Sequence, residues 1–254
     1  MATEILFKAS VLKRPSASIK SPYVADCNVN GNTALVHTPG LGCCGLVEKE
    51  RAIYVSCNGP NTKTAYTAKL AECVDEEGVY YVGIHPIVSQ RAGEKILPFI
   101  NSTAIWNKEV TVDAHSRLDF VGVTPGGKKI YVEVKTAMVS LQCNNPRCAR
   151  RAIFPEGYRK HKGEPVSPRA VKHAELLTSL CSESNTEACV LLFLVPRNDC
   201  DGGLEINAND PIYHEAVRRA VLAGVIVRAF SLIYSINGTV NIGKELPVYI
   251  DLFP

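Results

Sequence analysis

From Ser21 to about His85 the chain runs in short alternations of apolar and polar residues: YVADCNV, TALVHT, AIYVSC, YTAKLAEC and VYYVGIH. A period of two is that of a strand with one face buried. Asn30-Gly31-Asn32, Pro39-Gly40 and Asn58-Gly59-Pro60 punctuate these runs with turn-forming residues. About five short strands in this span fit a small barrel, and an OB-like β-barrel is the expectation. A sandwich is the alternative that periodicity does not separate. A short helical segment is expected from Val88 to Ile96, ended by Pro98.

Beyond it the pattern changes. SRLDFVGV and KKIYVEVK flank Thr124-Pro125-Gly126-Gly127 and read as a hairpin. Ser167 as N-cap and Pro168 at the first helical position open a helix through RAVKHAELLTSL, with Ala170, Ala174 and Leu177 on one face and Val171 beside them. ACVLLFLV is apolar throughout, as a strand buried on both faces must be. Asp210-Pro211 opens a second helix that Gly224 stops, and GVIVRAF is a further buried strand. Strands alternating with helices after a hairpin predict a mixed sheet with helices on its faces, so the chain reads as α/β (α+β). The natural division is residues 1–98 and 99–254.

The bulk properties exclude some classes. With 254 residues, 46 % hydrophobic and 21 % charged, the chain supports a real core. Its longest apolar stretch, Ala188 to Pro196, is strand-sized and far short of a membrane span. The first residues carry Glu4, Lys8 and Lys13 and lack a secretory pattern, so a cytoplasmic protein is expected. Of ten cysteines, Cys27, Cys57, Cys73 and Cys189 lie in strand-like runs, where a thiol acts as a small hydrophobe. Cys143 and Cys148 have no second ligand pair, so zinc is not expected and reduced thiols are.

The formal net charge of +3 is too small to name a partner, but its distribution is uneven. Arg147, Arg150, Arg151, Arg159, Lys160 and Lys162 are offset only by Glu156, which suits either a solvated loop or an arm contacting phosphate. In the hairpin, Leu118 and Phe120 take one face of their strand and Asp119 the other. On the partner strand Glu133 and Lys135 share a face. A register that joins the polar faces makes Asp119 and Glu133 cross-strand neighbours. Two carboxylates among Val and Phe are costly to desolvate without a cation. Oxygen ligands suit Mg²⁺ (or Mn²⁺), and Lys135 stands one pleat away for an anionic substrate. Glu133-Val134-Lys135 is the only acid-x-lysine triplet in the chain. A wet, charged hairpin edge is the competing explanation.

These residues carry a resemblance. SRLDF (116–120), YVEVKT (131–136), Phe154-Pro155, PRAVKHAEL (168–176), FLVPRND (193–199), DPIY (210–213) and AVLAGVIVRAF (220–230) resemble blocks of the sugar-fermentation-stimulation (SfsA) family, in order and spacing. YVADCNVNGNTALVHTPG (23–40) and YVGIH (81–85) resemble its weaker blocks. The resemblance implies an N-terminal OB-like barrel, residues 1–98, that binds nucleic acid. It implies a PD-(D/E)xK, restriction-endonuclease-like domain over residues 99–254. It implies DNA as partner, with nuclease activity assigned to members mainly from their fold. The implied metal ligands are Asp119 and Glu133, the catalytic lysine is Lys135, and Glu109 is a further acidic member. Arg169, Lys172 and His173 match a basic patch; with Arg117, Arg150 and Arg151 they are the candidate nucleic-acid contacts. The turn His37-Thr38-Pro39-Gly40-Leu41-Gly42 lacks the family's Asn, and the gaps on either side of Phe154 are longer than usual. The leading expectation is a metal-dependent nuclease acting on DNA. A DNA-binding or regulatory protein without turnover comes second, and an RNA- or assembly-associated protein third.

Overall fold

The computed structural model describes residues 4–40, 42–76, 78–113, 116–141, 150–157, 159 and 161–251. Cys143, Arg147, Cys148 and Lys160 lie outside the described residues. The chain divides into two compact units, Met1–Ala92 with Pro196–Asp199 and Ser231–Gly243, and Gly93–Val195 with Cys200–Phe230 and Lys244–Pro254.

The first unit is built on β1 (Phe7–Lys13), β2 (Val24–Val29), β3 (Asn32–His37), β4 (Ala52–Cys57), β5 (Tyr66–Asp75) and β6 (Gly78–Gly83). Alternation explains them: in β1, Ala9 and Val11 are buried while Lys8, Ser10 and Leu12 face out. Asn30 (φ 51) and Gly31 (φ 84) form the two-residue turn between β2 and β3, where both positions need a left-handed backbone. The core gathers Ala9, Val11, Cys27, Val36, Ile53 and Val55 with their neighbours.

The expected OB-like barrel is corrected here. The six strands form a sheet in the order β3-β2-β1-β4-β5-β6, and β3 meets β5 only through Val36↔Tyr66 and His37↔Thr67. The five runs that suggested a barrel are β2 to β6. The strand they omit, β1, lies at the centre between β2 and β4, so those five cannot close on themselves. With only two apolar inward positions between lysines, β1 gives a faint signal.

After β6 the chain forms α1 (Pro86–Gly93), a 3-10 turn over Glu94–Ile96 and α2 (Leu97–Ile100). Pro98 does not end this segment; it sits in the first turn of α2, where its missing N–H costs nothing. Next come β7 (Ile105–Asp113), β8 (Ser116–Val123), β9 (Lys129–Thr136), β10 (Val139–Leu141), β11 (Arg151–Phe154), α3 (Pro168–Cys181), β12 (Thr186–Val195), β13 (Leu204–Ile206), α4 (Pro211–Leu222), β14 (Ile226–Tyr234), β15 (Val240–Leu246) and β16 (Val248–Tyr249).

The main sheet has the order β15-β14-β12-β9-β8-β7. Strand β9 runs antiparallel to β8 and parallel to β12, with α3 on the connection, as a parallel neighbour requires. Both helices start as their sequences predict. Ser167 Oγ accepts the Ala170 N–H (3.3 Å), and Asp210 Oδ1 accepts that of Tyr213 (3.3 Å). The buried face of α3 carries Ala170, His173, Ala174, Leu177 and Leu180. On the outer edge Trp106 of β7 lies across Gly122 of β8, where an added Cβ would stand 2.9 Å from the indole. A smaller sheet, β10-β11-β13-β16, places part of the basic run in regular structure, with Ala152 and Ile153 of β11 buried. Cys27, Cys73 and Cys189 are buried free thiols, whereas Cys57 is exposed, contrary to expectation. Burial, then the charge of Asp26, pushes the Cys27 thiol up to about 12.

Candidate functional site

Strand alternation puts Leu118 and Phe120 on the buried face of β8 and leaves Arg117 exposed and Asp119 half-buried on the other. The ladder between β8 and β9 runs through Phe120↔Val132. Continued by one residue, this register sets Asp119 level with Glu133. There the Val134 N–H donates to Asp119 Oδ2 (2.8 Å), so a side chain takes the place of a strand partner. Strand β9 is flanked on its other side by β12, with Leu191 beside Glu133 and Phe193 beside Lys135. The acid is therefore enclosed, at 2 % exposure.

A buried carboxylate needs donors. Glu133 Oε1 receives two: Lys135 Nζ at 2.5 Å and His173 Nδ1 from α3. Lys135 Nζ and His173 Nδ1 are 3.2 Å apart, and Arg169 Nε approaches His173 Nε2 at 3.5 Å. Glu133 Oε2 is buried and has no hydrogen-bond partner. Burial works to raise the Glu133 carboxyl, but the bond to His173 and the charge of Lys135 outweigh it and hold the group below the usual carboxylate range. Asp119 goes the other way: burial, then the charge of Glu133, raises it. Two adjacent carboxyls shifted in opposite directions are a known signature of functional sites.

Tyr213, at the start of α4, is fully buried, packs its ring against Phe154, and leaves its hydroxyl without a partner. Burial, then the charge of Glu133, pushes that hydroxyl well above its ordinary value.

Asp119, Glu133 and Lys135 thus come together in one place. Glu109 lies opposite Asp119 in the β7–β8 register, between the pairs Lys108↔Phe120 and Val110↔Leu118. Its backbone is left-handed (φ 51), and its exposed carboxylate pairs with the exposed Arg117 at 2.9 Å. Arg169 and Lys172 are exposed on the first turns of α3. His173 sits within the carboxylate cluster rather than on the surface, at 4 % exposure. Arg150 precedes β11. Arg151 stacks 3.8 Å from the Tyr249 ring centroid and lies 3.6 Å from Glu205. Sequence reasoning missed His173 as a partner of Glu133. The signal was available, because His173 falls between Ala170 and Ala174 on the apolar face of its helix, one turn after Arg169. Tyr213 was also missed, and only the fold brings it near β9.

The cluster fits a divalent cation by its donors. Asp119 and Glu133 offer carboxylate oxygens, one of them buried and unpartnered, and Mg²⁺ takes one or two such groups and completes its shell with water. Among the described residues no group of three or more His, Cys, Asp or Glu stands ready to hold a metal ion. No helix among them is long and apolar enough to cross a membrane.

A family model, the sugar fermentation stimulation protein RE domain, matches residues 84–238. The sugar fermentation stimulation protein homolog of Halorhodospira halophila is 30% identical over 238 residues, covering 89% of this chain and 90% of that one. That of Synechococcus elongatus is 29% identical over 213 residues, 81% of each chain. Among solved structures, Pyrococcus furiosus SfsA in complex with Ca²⁺ has the same fold, with a TM-score of 0.75 at 21% identity over 98% of this chain and 100% of that one.

Proposed function

From the premise that the chain belongs to the sugar fermentation stimulation protein family, we propose that it binds DNA and hydrolyses phosphodiester bonds with Mg²⁺ or Mn²⁺ at Asp119 and Glu133. The observation that carries this reading is the buried Glu133 carboxylate, with Oε1 held by Lys135 and His173 and Oε2 left unpartnered beside a second acid. Leaving a buried charged oxygen unpaired costs several kcal/mol in general, and a dedicated cation offsets it. Such a cation supplies Lewis-acid stabilisation of phosphoryl charge and makes water a nucleophile near neutral pH. The Ca²⁺ complex of Pyrococcus furiosus SfsA supports a divalent ion in a protein of this fold.

The chain's own residues divide the remaining work. Asp119 and Glu133 hold the cation. Lys135 keeps its ammonium at the edge of the carboxylates, where it meets an anionic phosphate and stabilises charge developing on it. Arg169 and Lys172, exposed on α3, contact neighbouring phosphates, with Arg150 and Arg151 further along the backbone. Glu109, opposite Asp119 in the strand register and paired with Arg117, is the further acidic member of the set.

The test is cleavage of single-stranded, duplex and branched DNA by purified protein, with and without Mg²⁺ or Mn²⁺. Cleavage is expected only with metal, and Glu133→Ala should lower it by at least about a hundredfold, because it removes a carboxylate that holds the cation and with it the stabilisation of phosphoryl charge. The second reading, DNA binding without turnover, is favoured by the lack of a third ligand among the described residues. Tight DNA binding with no cleavage of any of the three substrates establishes it and ends the nuclease reading.

A further inference from the structure

Glu133 is not held by its neighbour Lys135 alone. We infer that His173 is a positioning residue that fixes which oxygen of Glu133 is offered to the cation. The inference rests on Asp119 and Glu133 being the cation's ligands.

A polar ring on the apolar face of α3 is costly unless both nitrogens are used. Both are. Nδ1 meets Glu133 Oε1, and Nε2 meets Arg169 Nε at 3.5 Å. The Arg169 Nε–H can only donate, so Nε2 presents its lone pair. The ring hydrogen then lies on Nδ1 and donates to Glu133. The reverse tautomer sets an Nδ1 lone pair against the carboxylate oxygen and an Nε2–H against an arginine N–H. Its one gain, a lone pair toward Lys135 Nζ at 3.2 Å, is the weaker contact, because that ammonium already donates to Glu133 Oε1 at 2.5 Å. Lys135 Nζ donates to the same Oε1 at 2.5 Å.

Oε1 therefore carries two donors from two elements, and Oε2 carries none. The Tyr213 hydroxyl, also buried without a partner, does not close on it. The carboxylate is thus held with one oxygen saturated and the other vacant, level with Asp119 on the neighbouring strand. A ring locked between an arginine and a carboxylate orients that carboxylate as the outer partners of metal ligands do, and such partners typically set affinity by 10- to 100-fold.

The experiment is calorimetric titration of Ca²⁺ into the full chain and into His173→Ala and His173→Asn. Wild type should bind, and His173→Ala should bind about 10- to 100-fold more weakly. His173→Asn, whose side-chain N–H reaches the place of Nδ1–H, should recover most of the loss. Equal or tighter binding by His173→Ala overturns the inference and leaves the proposed function standing, whereas a wild type that binds no Ca²⁺ removes both. Equal weakening in Ala and Asn makes His173 merely structural and also overturns it. Should His173→Ala not fold, long-range ¹⁵N–¹H spectra of the wild type decide: His173 is expected as the Nδ1–H tautomer, and an Nε2–H signal refutes the arrangement.

Discussion

At the scale of single residues, His85 ties stability to pH. Burial, then the charges of Lys69 and His37, lowers its pKa from 6.5 to about 4, against a smaller opposing effect of Glu4. Its Nδ1 is buried without a partner. The folded ring stays neutral while the unfolded chain takes up a proton below 6.5, so the unfolded state gains. Stability is therefore complete above pH 6.5 and falls between pH 6.5 and 4, with no further loss from this group below. The ceiling is about 3 kcal/mol at roughly 1.4 kcal/mol per pH unit, and the partial exposure of the ring reduces it. Urea unfolding at several pH values in this window checks it: His85→Asn should lose less stability than wild type on acidification. Equal losses would show that other groups govern the acid limb. The residues of the candidate site were unevenly legible. Alternation alone put Glu133 and Lys135 on one face, because strand period is a local property. No local rule could join them to His173, which lies 40 residues away.

At the scale of elements, Asp210 does two jobs. Its Oδ1 caps α4 at the Tyr213 N–H, and its Oδ2 accepts the Val166 N–H at 2.7 Å from the segment leading into α3. Asp210→Ala strands both donors in a position that is 1 % exposed. A lost cap costs about 1 kcal/mol and an orphaned buried N–H about 1–3 kcal/mol, so a loss of about 2–4 kcal/mol is expected. Thermal unfolding measures it, and a change below about 1 kcal/mol would mean that water replaces the carboxylate. Both helices were legible because caps are written in adjacent residues, Ser167-Pro168 and Asp210-Pro211. The strands β1, β7, β10, β11, β13, β15 and β16 were not. Most are short or lie on edges, and β11 is stabilised by β10 and β13 rather than by its own pattern. The barrel expectation failed for the same reason, since the unseen β1 stands between β2 and β4 and separates two strands that would otherwise be neighbours.

At the scale of the whole molecule, a small net charge hides a local one. Arg169 and Lys172 are exposed on α3, the helix whose His173 reaches Glu133, and engagement of phosphate by either should release counterions. Changing Arg169 or Lys172 to Gln should weaken DNA binding almost equally across sequences. Removing one cation from the phosphate backbone should flatten the plot of log affinity against log salt by about 0.7–0.9. Fluorescence anisotropy with a labelled oligonucleotide at several salt concentrations reads this. An unchanged slope would place both side chains off the DNA path. The lone tryptophan offers a second view of the molecule. Trp106 rests on Gly122 in the hairpin that carries Asp119, so its emission is an optical label built into one edge of one sheet. Excited selectively, it reports when that hairpin opens to water, while tyrosines in both units report the rest of the chain. Comparing the two signals during unfolding times the dissolution of the strands that carry the carboxylates without any dye being attached.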